Sequence, residues 1–154
     1  MKILVVSDSH HCLGYIYDAI EKEMPDAVLH LGDHRSDAED LSYAFSQIRF
    51  CSVPGNCDYA PDAQTSLTVE YDGVRIFMTH GHLFGVKQDP GVVLSKGRQT
   101  GAQIVLFGHT HQQMLLEKDG VWLMNPGSYS RCGYGLIETS HGSFRCSLHR
   151  SDEN

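Results

Sequence analysis

Apolar residues in this chain gather into short runs, and five of those runs end in side chains that bind metal ions. Ile3-Leu4-Val5-Val6 leads into Ser7-Asp8-Ser9-His10, and Ala27-Val28-Leu29-His30-Leu31 leads into Gly32-Asp33. Phe50-Cys51-Ser52-Val53-Pro54 leads into Gly55-Asn56-Cys57-Asp58, Val74 to Met78 into Thr79-His80-Gly81-His82, and Ile104 to Phe107 into Gly108-His109-Thr110-His111. Runs this short, bounded by turn residues, predict buried strands. In open α/β sheets ligands sit outside the carboxyl ends of the strands. The pattern therefore brings Asp, His and Asn side chains to one sheet edge, and together they read as one dinuclear metal site.

Between these strands the period changes. Leu13, Ile16, Tyr17, Ile20 and Met24 recur at helical spacing, and Pro25 ends that helix. Ser36-Asp37-Ala38-Glu39 fits a capping box opening a second helix, with Leu41, Ala44, Phe45 and Ile48 as its apolar side. The first half thus reads strand–helix–strand–helix–strand, which predicts a parallel sheet. In the second half Asp72-Gly73, Asp119-Gly120 and His141-Gly142 each separate strand-like runs, the chemistry of a tight hairpin turn. One helix interrupts them, with Asp89 as N-cap, Pro90 at its first position and Gly101 beyond its end. Gly91 and Gly97 lower its propensity. These elements predict an α/β fold of mixed sheets packed face to face with helices outside, in a single domain over residues 1–154. The polar tail Arg150–Asn154 is expected to fray.

Composition narrows the function classes. With 41% hydrophobic and 20% charged residues the chain reads as a soluble globular protein. No apolar run approaches the roughly 20 residues that span a bilayer. Asp8 interrupts the opening apolar run before it could serve as a secretory segment, so a cytoplasmic location is expected. Five cysteines, Cys12, Cys51, Cys57, Cys132 and Cys146, form no CxxC pair and read as reduced, mostly buried thiols. A net charge of −7 argues against an extended nucleic-acid partner, although a small anion held by bound metal remains compatible with it.

Asp8-x-His10 would place two ligands on one side of an extended segment, since alternate side chains point the same way. Asp33 follows Gly32 at a strand end, and Asn56 offers a neutral amide oxygen beside the imidazoles of His80, His109 and His111. Nitrogen and oxygen ligands without thiolates suit Mn²⁺, Fe²⁺, Zn²⁺, Ni²⁺ or Co²⁺ better than Ca²⁺ or a structural zinc. Any one of these fragments alone is a polar loop or a turn; their order, each at a strand end, makes them a site.

That ordered set resembles the calcineurin-like metallophosphoesterases, and the small size and Asn125-Pro126-Gly127-Ser128 resemble their compact bacterial and archaeal phosphodiesterase branch. The resemblance covers nearly the whole chain. It implies a four-layer αββα sandwich of two mixed β-sheets flanked by helices. It implies two divalent transition-metal ions per chain, manganese before nickel, cobalt, iron or zinc. Asp8, His10 and His111 would bind one ion, Asn56, His80 and His109 the other, and Asp33 would bridge them. The implied activity is hydrolysis of a small phosphate ester, first of all a phosphodiester, by in-line attack of a metal-bridging hydroxide. Two ions roughly 3.5–4 Å apart activate water and clamp the phosphoryl oxygens in such sites.

Many larger members carry a histidine directly after the Asn, assigned as proton donor or phosphate anchor. Here that position is Cys57, as in the compact branch, and a thiol is the weaker donor. Asp58 either orients His80 or His109 as a carboxylate behind the imidazole, or caps its own turn. Asn56, Cys57, Asp58 and His82 are thus the candidate catalytic residues, His82 through a contact to substrate rather than to metal. His11, His34, His141 and His149 are expected in solvent, His30 in the core, and Asn125 to Ser128 either at the active-site rim or merely in a turn. Two other functions share this fold: a non-catalytic interaction scaffold, which would need no complete ligand set, and a nuclease, which would need a basic groove. The oligomeric state is left open, the resemblance being compatible with a homo-oligomer, and no membrane partner is expected.

Overall fold

The computed structural model describes residues 1–153; Asn154 lies outside the described residues. Its strands are β1 (Lys2–Val6), β2 (Ala27–His30), β3 (Arg49–Ser52), β4 (Ser66–Tyr71), β5 (Val74–Thr79), β6 (Ile104–Leu106), β7 (Met114–Lys118), β8 (Val121–Asn125), β9 (Gly133–Ser140) and β10 (Ser143–Arg150). The helices are α1 (Gly14–Glu23), α2 (Ser36–Ala44) and α3 (Gly91–Gln99). Two five-stranded sheets form, in the orders β10-β9-β1-β2-β3 and β4-β5-β6-β8-β7. Both are mixed: β1, β2 and β3 run parallel, as do β5, β6 and β8, while the hairpin strands are antiparallel.

The unbroken apolar runs follow from burial on both faces. Ile3 and Val5 of β1, Ile76 and Met78 of β5, and Ile104 and Leu106 of β6 meet between the sheets. Leu4 and Val6 face Tyr15, Ile16, Ala19 and Ile20 of α1 and Leu41 of α2. Phe77, Val105 and Phe107 face Val93 and Leu94 of α3. The layers are therefore helix, sheet, sheet, helix. Gly97 belongs in α3 despite its low propensity, because a Cβ there would collide with Val105 and lift the helix from the sheet. All three predicted hairpins form, each with a left-handed pair at its turn: Asp72-Gly73, Asp119-Gly120 and His141-Gly142.

Several local expectations change. β3 is an edge strand and only half buried. Tyr17 is partly exposed, and Met24 lies beyond α1 in a left-handed turn, 80% exposed. α2 ends at Ala44, so Ala44 is exposed while Phe45 and Ile48 pack from the turn that follows. Ser36 makes no cap; Arg35 holds the N-cap position without a side-chain bond, and Asp37 is buried for another purpose described below. α3 starts one residue later than predicted, at Gly91, whose N–H is nevertheless capped by Asp89 Oδ1 at 2.7 Å. Arg150 ends β10 and is anchored to Asp152 rather than frayed. The five thiols are free, but none is fully buried, and Cys12 and Cys57 are exposed. No helix among the described residues is long and apolar enough to cross a membrane.

Candidate metal centre

The predicted groups leave the strand ends at one edge of the sandwich, where the two sheets approach each other. Gly108 N donates to His80 O at 3.0 Å, and Asp8 N to Gly32 O at 2.9 Å, which ties the loops together. Glycine is required at two of these crossings. A Cβ on Gly108 would collide with Ser7 Oγ, and one on Gly55 with the Asp33 carboxylate. The backbone here is not extended. Asp8, His10, Asp33, His109 and His111 have φ of 54°, 45°, 59°, 66° and 59°. Such left-handed residues are uncommon outside glycine and cost of order 1–3 kcal/mol each, held by the surrounding structure. Asp8 and His10 therefore meet because the chain curls sharply after β1, not through strand alternation.

The side chains converge on one another. Asp8 Oδ2 accepts Ser7 Oγ at 2.6 Å and His109 N at 3.1 Å, which turns Oδ1 inward. That Oδ1 lies 3.1 Å from His111 Nε2, yet has no hydrogen bond. Asp33 stands between two imidazoles: Oδ1 is 3.4 Å from His80 Nε2, and Oδ2 is 3.7 Å from His10 Nε2. Nδ1 of His80 faces Leu31 O at 2.8 Å, so Nε2 is the nitrogen presented inward, 3.1 Å from Asn56 Oδ1. His109 packs edge-on to His80, with ring centroids 5.1 Å apart. One donor atom from each of Asp8, His10, Asp33 and His111 falls within 4.8 Å of the others.

This donor set fits a divalent transition metal. Asp8 Oδ1 and His10 Nε2 are buried without any hydrogen-bond partner, an arrangement native interiors avoid unless something else satisfies the group. Burial pushes the Asp33 carboxyl up, but the Cys57 N–H, the His80 charge, the Cys57 thiol and His10 outweigh it, so Asp33 ionises more readily than usual. Desolvation, then the charges of His80 and Lys87, lowers His109; desolvation, then His80, lowers His82. Ionised carboxylates and neutral imidazoles are the forms that ligate metals.

The candidate catalytic residues fare differently. Asn56 and Cys57 are exposed at the rim, and Cys57 N donates to Asp33 Oδ1 at 3.0 Å. Desolvation and then the Asp33 carboxylate raise the Cys57 thiol, which keeps it protonated and a poor acid. Asp58 orients neither His80 nor His109. Its oxygens accept Arg35 N at 2.9 Å and Gly55 N at 2.8 Å, so it caps its turn and pins the Asp33 loop to the Asn56 loop. His82 stands beside the cluster, 5.4 Å from His80 and 6.1 Å from His109 between ring centroids, with Nδ1 buried and unpartnered.

His11 and His34 do not simply face solvent. His11 is exposed, but its ring meets that of His34 at 4.1 Å, and His34 meets His10 at 5.1 Å. His11 Nδ1 and N–H both bind Asp37, at 2.9 and 2.8 Å. His149 is also partly buried, stacked on Tyr134 and 2.7 Å from Ser147 Oγ, whereas His141 is exposed as expected.

Three groups that sequence reasoning missed or left open hold this geometry. Ser7 locks Asp8. Asn125, buried, gives Nδ2 to Gly108 O at 2.9 Å and to Thr110 Oγ1 at 3.0 Å, which fixes the loop carrying His109 and His111. Asn125 thereby gives the Asn125-Pro126-Gly127-Ser128 turn a positioning role. Asp37, buried in the first turn of α2, accepts Ser9 Oγ at 2.6 Å, and Ser9 Oγ lies 2.9 Å from His30 Nε2. The only signal for Asp37 was an acidic residue at a helix start, where charge is commonplace.

His30 gives a pH prediction. Desolvation dominates over the raising influence of Asp37, Asp8 and Asp58 and lowers its pKa from 6.5 to about 4. A histidine depressed in the fold is neutral there while the unfolded chain protonates first. Its contribution is thus complete above pH 6.5 and is lost as pH falls toward about 4. Urea unfolding of metal-free protein across that interval is expected to weaken by up to roughly 3 kcal/mol from this residue. His30→Gln, which does not titrate, should show a shallower slope; an unchanged slope would remove His30 from this account.

The fold and the clustered donors agree with one family. The model of the calcineurin-like phosphoesterase superfamily domain matches residues 1–142. The chain belongs to that superfamily. It is 35% identical to a probable metallophosphoesterase, YsnB, of Bacillus subtilis, over 83% of this chain and 75% of the relative. It is 28% identical to phosphodiesterase MJ0936 of Methanocaldococcus jannaschii, over 94% and 97% of the two chains. The structure of a predicted phosphoesterase from Streptococcus pneumoniae superposes with a TM-score of 0.80 at 26% identity, covering 98% of this chain and 90% of that one. Zinc-complexed Vps29 from Entamoeba histolytica superposes with a TM-score of 0.76 at 21% identity, over 99% and 100% of the chains, a likeness of fold alone. Phosphoesterases of this superfamily use divalent metals, and among the described residues the Asp/His cluster is a place able to hold one.

Proposed function

We propose that this phosphoesterase is a phosphodiesterase acting on a small ester, working as one domain with two divalent ions per chain and manganese as the first candidate. Asp8, His10 and His111 would hold one ion and Asn56, His80 and His109 the other, with the Asp33 carboxylate serving both. The observation that carries the reading is the pair of buried, unpartnered atoms, Asp8 Oδ1 and His10 Nε2, aimed at the same space as Asp33. Bound there, the ions would supply Lewis-acid polarisation of phosphoryl oxygens and acidify a water for in-line attack.

The chain's own residues set the rest. Ser7 and the His109 N–H fix Asp8, and Leu31 O fixes His80, so the donors are oriented in advance. Asn56 and His82 border the space where the ester sits. Cys57, held protonated beside Asp33, is a weak proton donor to a departing alkoxide. General-acid assistance is typically worth about 10²–10⁴-fold. The enzyme is therefore expected to hydrolyse nitrophenyl diesters far better than alkyl diesters, because a nitrophenolate leaves without protonation. Cys57→His should recover rate mainly on the alkyl esters, with metal content measured alongside. Equal wild-type rates on both classes, with chemistry rate-limiting, would assign the proton to another residue, His82 first.

The deciding experiment is metal stripping followed by separate addition of manganese, nickel, cobalt, iron and zinc, with chromogenic monoesters and diesters as substrates. Restored diester hydrolysis supports the reading. No hydrolysis with any ion would leave the scaffold reading, against which the retained metal-binding residues now stand. The acidic net charge disfavours a nuclease acting on long strands.

A further inference from the structure

Two cavities flank the Asp8–Asp33 cluster, and they differ in charge. One, of about 630 Å³, includes Arg35 but also Glu39, Asp58 and Asp62 in its walls. The other, of about 620 Å³, borders His111 and is walled by Thr110, Gln112, Gln113, Ser130 and Arg131, with no carboxylate. A smaller cavity of about 440 Å³ shares Thr110, Gln112 and Gln113 with it and extends to Lys87, again without a carboxylate. In a chain of net charge −7, a cationic, acid-free recess beside the site is where an additional anion can be held.

Arg131 is available for that role. The carboxylates of Asp152 and Glu153 are engaged by Arg150, at 2.8 and 3.3 Å, and Arg150 Nε also donates to the backbone oxygen of Arg131 at 3.1 Å. Among the described residues the Arg131 guanidinium itself has neither ion pair nor hydrogen bond. The walls around it are set before a ligand arrives. Gln113 Nε2 donates to His149 O at 2.8 Å, Thr110 Oγ1 accepts Asn125 Nδ2 at 3.0 Å, and Ser130 Oγ lies 3.0 Å from Ser128 Oγ. Walls fixed in this way reduce the ordering cost of binding. The volume is that of a small-ligand site.

We propose that the recess beside His111 binds a second phosphate group of the substrate, with Arg131 as the specificity-determining contact. The inference rests on the phosphodiesterase reading and narrows it: the preferred ester carries a terminal phosphate in addition to the scissile one. The planar guanidinium matches two phosphate oxygens at once, while the Gln112 amide and Ser130 hydroxyl offer hydrogen bonds to the sugar or polyol between the phosphates.

A matched pair of substrates tests this: thymidine 3′-(p-nitrophenyl phosphate) with a 5′-hydroxyl, and the same ester bearing a 5′-phosphate. Leaving group and scissile phosphate are identical. Wild type is expected to favour the 5′-phosphorylated ester by about tenfold or more in kcat/KM, chiefly through KM, and less so at high salt. Arg131→Gln should bring the ratio near one, and Arg131→Lys should keep part of it. A wild-type ratio of one or less, or a ratio unchanged in Arg131→Gln, overturns the proposal. A second arm needs no turnover. In zinc-loaded protein the Arg131 Nε–H NMR resonance is expected to shift with thymidine 3′,5′-bisphosphate and not with thymidine 3′-monophosphate. Absence of that difference also overturns the site. If wild type hydrolyses no ester with any ion, the phosphodiesterase reading fails, and the resonance alone decides whether the second-phosphate site exists.

Discussion

Asp33→Asn is expected to lower turnover by about 10³-fold, equivalent to roughly 4 kcal/mol of transition-state stabilisation. The substitution is isosteric, and an asparagine oxygen can still accept the Cys57 N–H that Asp33 Oδ1 accepts at 3.0 Å. The loop should therefore keep its shape. What disappears is the negative charge placed between His80 Nε2 at 3.4 Å and His10 Nε2 at 3.7 Å. In the reading proposed above that charge serves both ions, so bound metal per chain, measured after dialysis, should fall together with kcat. Thermal stability of the metal-free protein should change little, because Asp33 has no cationic partner other than histidines. A variant that retains two ions and near-normal turnover would show that Asp33 is not the shared group.

The largest expected effect on stability is at Asp37, outside the donor cluster. Its side chain is 1% exposed and accepts three hydrogen bonds, from Ser9 Oγ, His11 N and His11 Nδ1. Asp37→Ala removes the acceptor and strands these donors, one of them inside the core. Breaking a buried polar network from one side costs about 3–5 kcal/mol. For a domain of this size that is a fall in Tm of roughly 10 °C. Denaturant unfolding of Asp37→Ala and His11→Ala separates the contributions: His11 is exposed, so its truncation should cost far less. A loss below about 1 kcal/mol in Asp37→Ala would mean the network is not what holds the loop after β1. Because Ser9 lies between Asp8 and His10, metal affinity should weaken in the same variant.

The sequence by itself determined the strand ends and the identity of the clustered groups. Apolar runs such as Ile3–Val6 and Ile104–Phe107 are long enough to be strands and too unbroken to have a wet face, so their burial on both sides and the sandwich follow from periodicity. The residues after them, from Asp8 to His111, were legible because polar side chains at successive strand ends have nowhere else to converge. Tertiary structure decided how they converge. The left-handed backbone at Asp8, His10, Asp33, His109 and His111 accompanies close approaches of loops distant in sequence, Gly108 against Ser7 across the two sheets and Gly55 against Asp33 within one, which short-range pattern does not encode. For the same reason Asp58 went to backbone amides of its own and the neighbouring loop rather than to an imidazole, and Asp37 looked like a helix-start charge until its partners, exposed His11 and buried Ser9, 26 and 28 residues away in sequence, were in place. Cavity charge belongs to the same category: Arg131 and His111 line one recess only because the loop after β6, in one sheet, and the turn before β9, in the other, meet where the two sheets pack together, which short-range pattern does not encode.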